Sequence, residues 1–474
     1  MFDNPLIQRY RYSLIRPKQF WVYQVVYLCI VGLIMLISFL MYYNSPKSGH
    51  LFFNRTYYQF LTFQVLILWF WGSYNSGSAI RHEVVRKTYD FFKLLPMSAH
   101  EKALGILVGR NLVMLLFAAY NVVFLTIFGL FGDWDFRLQG QIFFVIVSIA
   151  LLTNALALLG SIRMDKKQVQ TSATALVLLG LLLAPMALAA VTAVSESMMM
   201  KSFFPFYALR IPALIAIALI GLYFFCWCFI GIIRKFKSEK EPLFTYSGAM
   251  AFLVGYAVLG CGLFWPYLHG RKILTLYFLW VVLIIPVFLI PFGAVKTYEI
   301  YLERFRTSNI SAKSGKMIWK LFTNSNLFLC LSMFMVWALF SAGAGLSLHA
   351  PMFPFIDSIF DIFSFFLFLS LLFELHVVYQ PLYAKIKLLL IFITLLYIVV
   401  PLILAVIPSA KGFVLYSPLG YVFYLMSKVS GGREIDVTNM VFVLNLVFCI
   451  LPVGLIWKRY IQICHIRQKI SKKP

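Results

Sequence analysis

Apolar residues in this chain come in windows of 18 or more, separated by short polar stretches, at roughly 20–43, 57–80, 111–131, 141–162, 172–193, 208–232, 247–264, 273–294, 325–346, 353–376, 386–408 and 437–457. A hydrocarbon layer about 30 Å thick takes about 20 apolar residues as a helix, and a backbone in lipid must satisfy its own hydrogen bonds. The pattern predicts an all-α, polytopic integral membrane protein of about 12 transmembrane helices. Residues 1–19 precede the first window, with Leu6, Tyr10 and Leu14 four apart and Arg9 and Arg16 elsewhere around the helix. That spacing predicts an amphipathic helix lying on the inner membrane surface. The alternative for this stretch is a merely basic flank. The first window is too long for a signal-peptide core and ends in Leu40-Met41-Tyr42-Tyr43, so it is expected to stay as an anchor.

The polar stretch 234–246 is the linker-like segment near mid-chain. Six windows precede it, in 20–233, and six follow, in 247–457, before a basic tail at 458–474. Long inner loops at 81–110 and 295–324 each follow the second window of a half, and long outer loops at 194–207 and 409–436 each follow the fifth. Both outer loops hold a proline among aromatic residues, Pro205 and Pro418. Two fused six-helix halves are the expected architecture, the second divergent from the first.

Composition sharpens this picture. Hydrophobic residues make up 62% of the 474 and charged ones 12%, which excludes an ordinary soluble domain. The net charge of +24 looks like a nucleic-acid signal until the cations are placed. With the N-terminus inside, 31 of the 41 Lys and Arg fall in inner segments, so both termini are expected in the cytoplasm, with anionic inner-leaflet lipid as a partner and no nucleic acid. A bacterial inner membrane is the expected location. The seven Cys are odd in number and mostly within apolar runs, so they read as small core or lipid-facing residues. Asn54-Arg55-Thr56 is a glycosylation sequon expected on an outer loop.

The loop 81–110 carries the richest local chemistry. Glu83 with Lys87 and Arg86 with Asp90 are opposite charges four apart, which supports a helix before Pro96. Ser98-x-x-Glu101 is a capping box, predicting a new helix that runs into the third span. Phe91, Phe92, Leu94 and Leu95 stand just before the proline break and must bury against lipid or a partner. A helical hairpin resting on headgroups is the alternative.

The pattern Glu83, Thr88, Leu94-Leu95-Pro96-Met97-Ser98, Lys102 and Gly109 resembles the segment between the second and third spans of type-2 ATP-binding-cassette (ABC) exporter permeases. The opening Asn4-Pro5-Leu6, the entry to the fifth span at Gln168 to Ala175 and the proline-containing outer loop are similar to that family as well. The resemblance implies that Glu83, Thr88, Pro96 and Ser98 belong to a coupling segment that docks on a separate ATPase subunit, alongside Phe91, Phe92, Glu101 and Lys102. In the second half Glu303, Thr307 and Ser311 stand for a second coupling element, without the Leu-Pro step. Arg110 stands where the family usually has Lys after the glycine.

A Walker A loop is missing from the chain. Ser314-Gly315-Lys316-Met317 comes nearest and lacks both the earlier glycine and the Mg-ligating hydroxyl. ATP and Mg are therefore expected in the partner, and no cofactor here. The expected function is the permease component of an ATP-driven exporter with lipid-like, peptide or drug-like cargo, with a homodimer or a further permease subunit completing the pore. The alternative is an ion-coupled secondary transporter, for which Asp357, Asp361 and Glu374 in the tenth window are the candidate substrate or ion path. A polytopic membrane transferase is the third reading, on Arg433, Glu434 and Asp436. The seven His are scattered, without metal-ligand spacing.

Overall fold

The computed structural model describes residues 4–43, 49–85, 94–163, 203–206, 209–238, 243–269, 452–459 and scattered positions between 328 and 462. Nine helices are labelled here in chain order: α1 (Pro5–Leu14), α2 (Pro17–Tyr43), α3 (Gly49–Val65), α4 (Gly72–Val85), α5 (Ala99–Gly109), α6 (Leu112–Phe131), α7 (Phe136–Arg163), α8 (Ala213–Lys237) and α9 (Tyr246–His269). A π-helical segment, Leu66–Trp71, joins α3 to α4, so the helix runs unbroken from Gly49 to Val85. Among the described residues, Pro17–Leu40, Leu112–Phe131, Phe136–Ile162 and Ala213–Lys237 are helices long and apolar enough to cross a membrane. The fold is mostly helical, and these helices define an integral, multi-pass membrane protein. The windows at 172–193, 273–294 and 386–408 lie outside the described residues.

The chain divides into two compact units, Met1–Phe204 with Leu209–Glu239, and Pro205–Ala208 with Lys240–Pro474. The division falls within the polar stretch 234–246. In the first unit, two apolar cores are stacked along the helices. One gathers Tyr27, Phe60, Leu68, Phe117, Phe128 and Ile146, with Phe60 stacked against Phe124 at 5.2 Å and Phe128 at 5.4 Å. The other gathers Leu6, Ile80, Ile106, Leu158 and Ile232, from five different helices.

Between the two cores lies a polar seam. Ser73 donates to Asn154 at 3.2 Å, and the Asn111 amide donates to Ser76 at 2.9 Å. Gly72 leaves the room for Asn154, whose side chain a Cβ there would meet at 2.7 Å. Helix regularity breaks at the same level, in the π-helical segment and at Arg110–Asn111. Hydrogen bonds between helices within a membrane are net favourable by roughly 0.6–2 kcal/mol each, so the seam ties the two cores together without needing apolar complementarity.

Three expectations are corrected here. The helix that starts after Ser98 does not run on into the third span: it stops at Gly109 and α6 starts at Leu112, with the Asn111 side chain turned back to the Leu107 carbonyl at 2.8 Å. That bond satisfies a carbonyl the break leaves without a helical partner. The sequon is not in a loop. Asn54 and Thr56 lie in α3, where Thr56 is buried and Asn54 accepts from the Trp134 indole at 2.8 Å. Finally, Phe203–Phe206 and Leu209–Pro212 pair as a two-stranded hairpin, a small departure from all-α. Its proline, Pro205, is one of the two prolines expected on outer loops; Pro418 lies outside the described residues. Arg210 sits in this hairpin, and the apolar helix begins after it at Ala213.

In the second unit α9 covers the window at 247–264. At the described positions of the tenth window Ser364, Phe368, Leu371 and Glu374 are all buried, spaced four, three and three apart as one face of a helix.

Candidate functional site

The end of the first unit that holds the second apolar core is built on α1. Asn4 caps it, its side-chain oxygen Oδ1 accepting from the Leu6 N–H at 2.9 Å, and Pro5 follows at the first helical position, where the missing N–H costs nothing. Asn4 also reaches across the fold: its amide nitrogen donates to the Glu101 carbonyl at 2.7 Å. One side chain thus starts α1 and clasps it to the first turn of α5.

The apolar stripe of α1 faces protein. Leu6, Ile7 and Tyr10 are buried and Leu14 is half-buried. They fit because α5 carries glycine at 105 and 109. A Cβ on Gly105 would meet the Leu6 Cβ at 2.8 Å, and one on Gly109 would meet the Tyr10 ring at 2.6 Å. Two glycines four apart make a groove along one helix face, and Leu6 and Tyr10, also four apart, fill it. The stripe expected on the membrane surface is covered by α5 instead.

Tyr10 and Arg9 converge on Glu83, near the end of α4. The Arg9 guanidinium lies 3.3 Å from one Glu83 carboxylate oxygen and 3.4 Å from the other. The Tyr10 hydroxyl is hydrogen-bonded to the same carboxylate. Glu83 is buried, with its side chain 5% exposed, whereas Arg9 is 42% exposed. Burial, with the Glu83 charge beside it, pushes the Tyr10 phenol up to about 12, against the opposing pull of Arg110 and Arg9. The expected Glu83–Lys87 contact cannot be followed, because Lys87 lies outside the described residues; the carboxylate is committed to α1.

The capping box is formed. Glu101 N–H donates to the Ser98 hydroxyl oxygen at 3.1 Å, and Ser98 N–H donates to the Glu101 carboxylate at 2.8 Å. The backbone bond from Ser98, and the bond with its side chain, hold the Glu101 carboxyl below its ordinary range. Most of α5 is enclosed. Ala103, Ile106 and Leu107 pack in the second core, and Lys102 is buried too. His100 stacks edge-on against Phe229 of α8 at 5.5 Å.

What stays outside is the leading end. Leu94 is 81% exposed, Pro96, Ser98, His100 and Glu101 are exposed, and Leu95 and Met97 rest partly on the second core. The structure therefore separates the sequence-derived site into two layers. Ser98, Glu101 and Pro96 are surface residues, while Glu83 and Lys102 lie beneath and hold the support. Thr88, Phe91, Phe92, Glu303, Thr307, Ser311, Asp357 and Asp361 lie outside the described residues. Glu374 is fully buried and partnered.

Gly105 was not singled out from the sequence, and Asn4, Tyr10 and Gly109 stood there only in local patterns, not as residues that pack α1 on α5. Asn-Pro ahead of an amphipathic stretch is a helix-start signal, and two glycines four apart are a close-packing signal. Neither says which helix will be the neighbour. No family model, curated protein or solved structure matches the chain.

Proposed function

We propose that this chain is the permease component of an ATP-driven exporter of the type-2 ABC kind, with about 12 spans in two six-helix halves and both termini in the cytoplasm. A separate subunit supplies ATP hydrolysis. The observation that carries the reading is the leading end of α5: a capped helix start with Leu94 exposed beside it, mounted on a back face buried against α1, α7 and α8. An exposed leucine at the entry to a rigid helix is an anchor for a partner groove. The buried back face would carry a push on that end into the spanning helices as a whole, because packed interiors transmit displacement rather than absorb it. Under this reading cargo moves outward across the membrane, and few internal charges suit lipid-like, peptide or drug-like molecules.

The test is co-purification. Ala at both Ser98 and Glu101 removes the capping box at a cost of about 1–2 kcal/mol to the local helix end, leaving insertion intact. Loss of ATPase capture and of stimulated hydrolysis is expected from that variant and from Leu94→Ala. Unchanged capture by both would overturn the exporter reading.

A second reading, an ion-coupled secondary transporter, draws on Glu374. A fully buried carboxylate on the same helix face as Ser364, Phe368 and Leu371 is costly in an apolar span and is a functional candidate for that reason. Transport by the chain alone in vesicles without nucleotide, abolished by Glu374→Gln, would favour it.

A further inference from the structure

Helix α1 has two faces, and the protein covers one of them. Leu6, Ile7 and Tyr10 are buried, and Asn4 and Arg9 are engaged by Glu101 and Glu83. On the other side Arg11 and Ser13 are exposed, Tyr12 is 74% exposed, and the exposed surface continues through Arg16 and Lys18 to Trp21 at 69%. Arg11, Arg16 and Lys18 form no salt bridge among the described residues. There is no Asp or Glu between residues 4 and 43 to neutralise them.

Their height relative to a bilayer is set by covalent geometry. Only Ile15 and Arg16 separate α1 from α2, and Lys18 lies in the first turn of α2. From there α2 presents Val22, Val25, Leu28, Leu33 and Leu36 outward, the surface of a helix immersed in hydrocarbon. The three cations are thereby fixed at the edge of the apolar layer, where lipid phosphates are the available counter-charges. Tyr12 and Trp21, each with a polar tip on an apolar ring, are the side chains that settle at that depth. Arg9 is not among the cations on offer, because Glu83 holds it.

We propose that Arg11, Arg16 and Lys18 form a binding face for the phosphate headgroups of an anionic bilayer surface. The surface presses α1 onto the Gly105–Gly109 groove, so lipid charge sets how firmly α1 clamps α5. This goes beyond the exporter reading and does not depend on it, since the lipid contact belongs to this chain alone.

The experiment uses the full chain in nanodiscs of phosphatidylcholine, with or without phosphatidylglycerol, and follows hydrogen exchange of the amides in Pro5–Leu14 and Ala99–Gly109. Slower exchange in both segments is expected when phosphatidylglycerol is present. Replacing the three cations, as R11Q/R16Q/K18Q, should make exchange the same in the two lipids. R55Q/R137Q, which removes exposed cations from the starts of α3 and α7 at the far ends of those helices, should keep the lipid effect. Equal exchange of the wild-type chain in both lipids would overturn the proposal, as would a lipid effect surviving in the triple variant. Protection by soluble glycerol phosphate in phosphatidylcholine discs would assign the site to a free anion and overturn the bilayer assignment. No ATPase enters the assay, so its failure and the failure of the exporter reading are separate results.

Discussion

Arg9 and Glu83 stand 74 residues apart in sequence and 3.3 Å apart in space, and they join α1 to the C-terminal end of the helix that runs from Gly49. The two partners are unequal: the carboxylate is buried and the guanidinium half-exposed. Removing the arginine strands a buried charge, while removing the carboxylate returns the arginine to solvent. Arg9→Gln is expected to destabilise the docked α1 by about 1–3 kcal/mol, and Glu83→Gln by less, since its amide oxygen still accepts from Tyr10. Limited proteolysis after α1 in detergent micelles, compared across both single variants and the double, measures that asymmetry. Equal losses from the two would show that the pair is not buried as described.

The glycine groove gives a sharper steric prediction. Ala at Gly105 or Gly109 places a Cβ within 2.8 Å or 2.6 Å of α1 side chains, and α1 must shift or lift. A loss of about 1–3 kcal/mol is expected at each site. Gly160, which has nothing within 4 Å of an added Cβ, is the control; Ala there is expected to be neutral or stabilising by up to about 1 kcal/mol. Thermal unfolding of the three variants in the same detergent decides it.

Tyr10 makes the attachment of α1 sensitive to alkali. A phenol raised from 10.0 to about 12 stays protonated in the folded state while the unfolded chain already ionises. Its stabilising share is complete below pH 10 and is lost as pH rises towards about 12. Tyr10→Phe should remove that part of the pH dependence and leave the lysine-dependent remainder. A difference profile between wild type and Y10F that stays flat across this window would refute the buried hydrogen bond to Glu83.

Orientation can be read from residues at the two ends of the first unit. In a chain stripped of its native Cys, single Cys at Ser13 and Ser238 are expected to resist an impermeant thiol reagent in intact cells. Cys at Asp135, just before α7, is expected to react. Labelling of Ser13→Cys from outside would reverse the topology drawn from the 31 inner cations.

Much of the local structure was legible in the sequence, because helix formation and capping are short-range. The apolar windows at 20–43, 111–131 and 141–162 coincide closely with α2, α6 and α7, since each such run must close its own backbone hydrogen bonds. Ser98 and Glu101 could be paired from their spacing alone because both bonds of the box fall within one turn. The same held for the stripe Leu6, Tyr10 and Leu14, whose four-residue spacing marks a face without marking what covers it.

Other features depended on residues far apart in the chain. Arg9 could have neutralised lipid as readily as Glu83, and only the packing of α1 into the Gly105–Gly109 groove brings it to that carboxylate. Asn111 interrupts an otherwise apolar run because Ser76, 35 residues earlier, offers its amide a partner at 2.9 Å. Asn54 kept the form of a sequon until Trp134, 80 residues later, was placed against it. Periodicity and composition fix which side chains share a face of a helix, whereas steric fit between faces and the cost of an unpartnered polar group decide which remote residues meet.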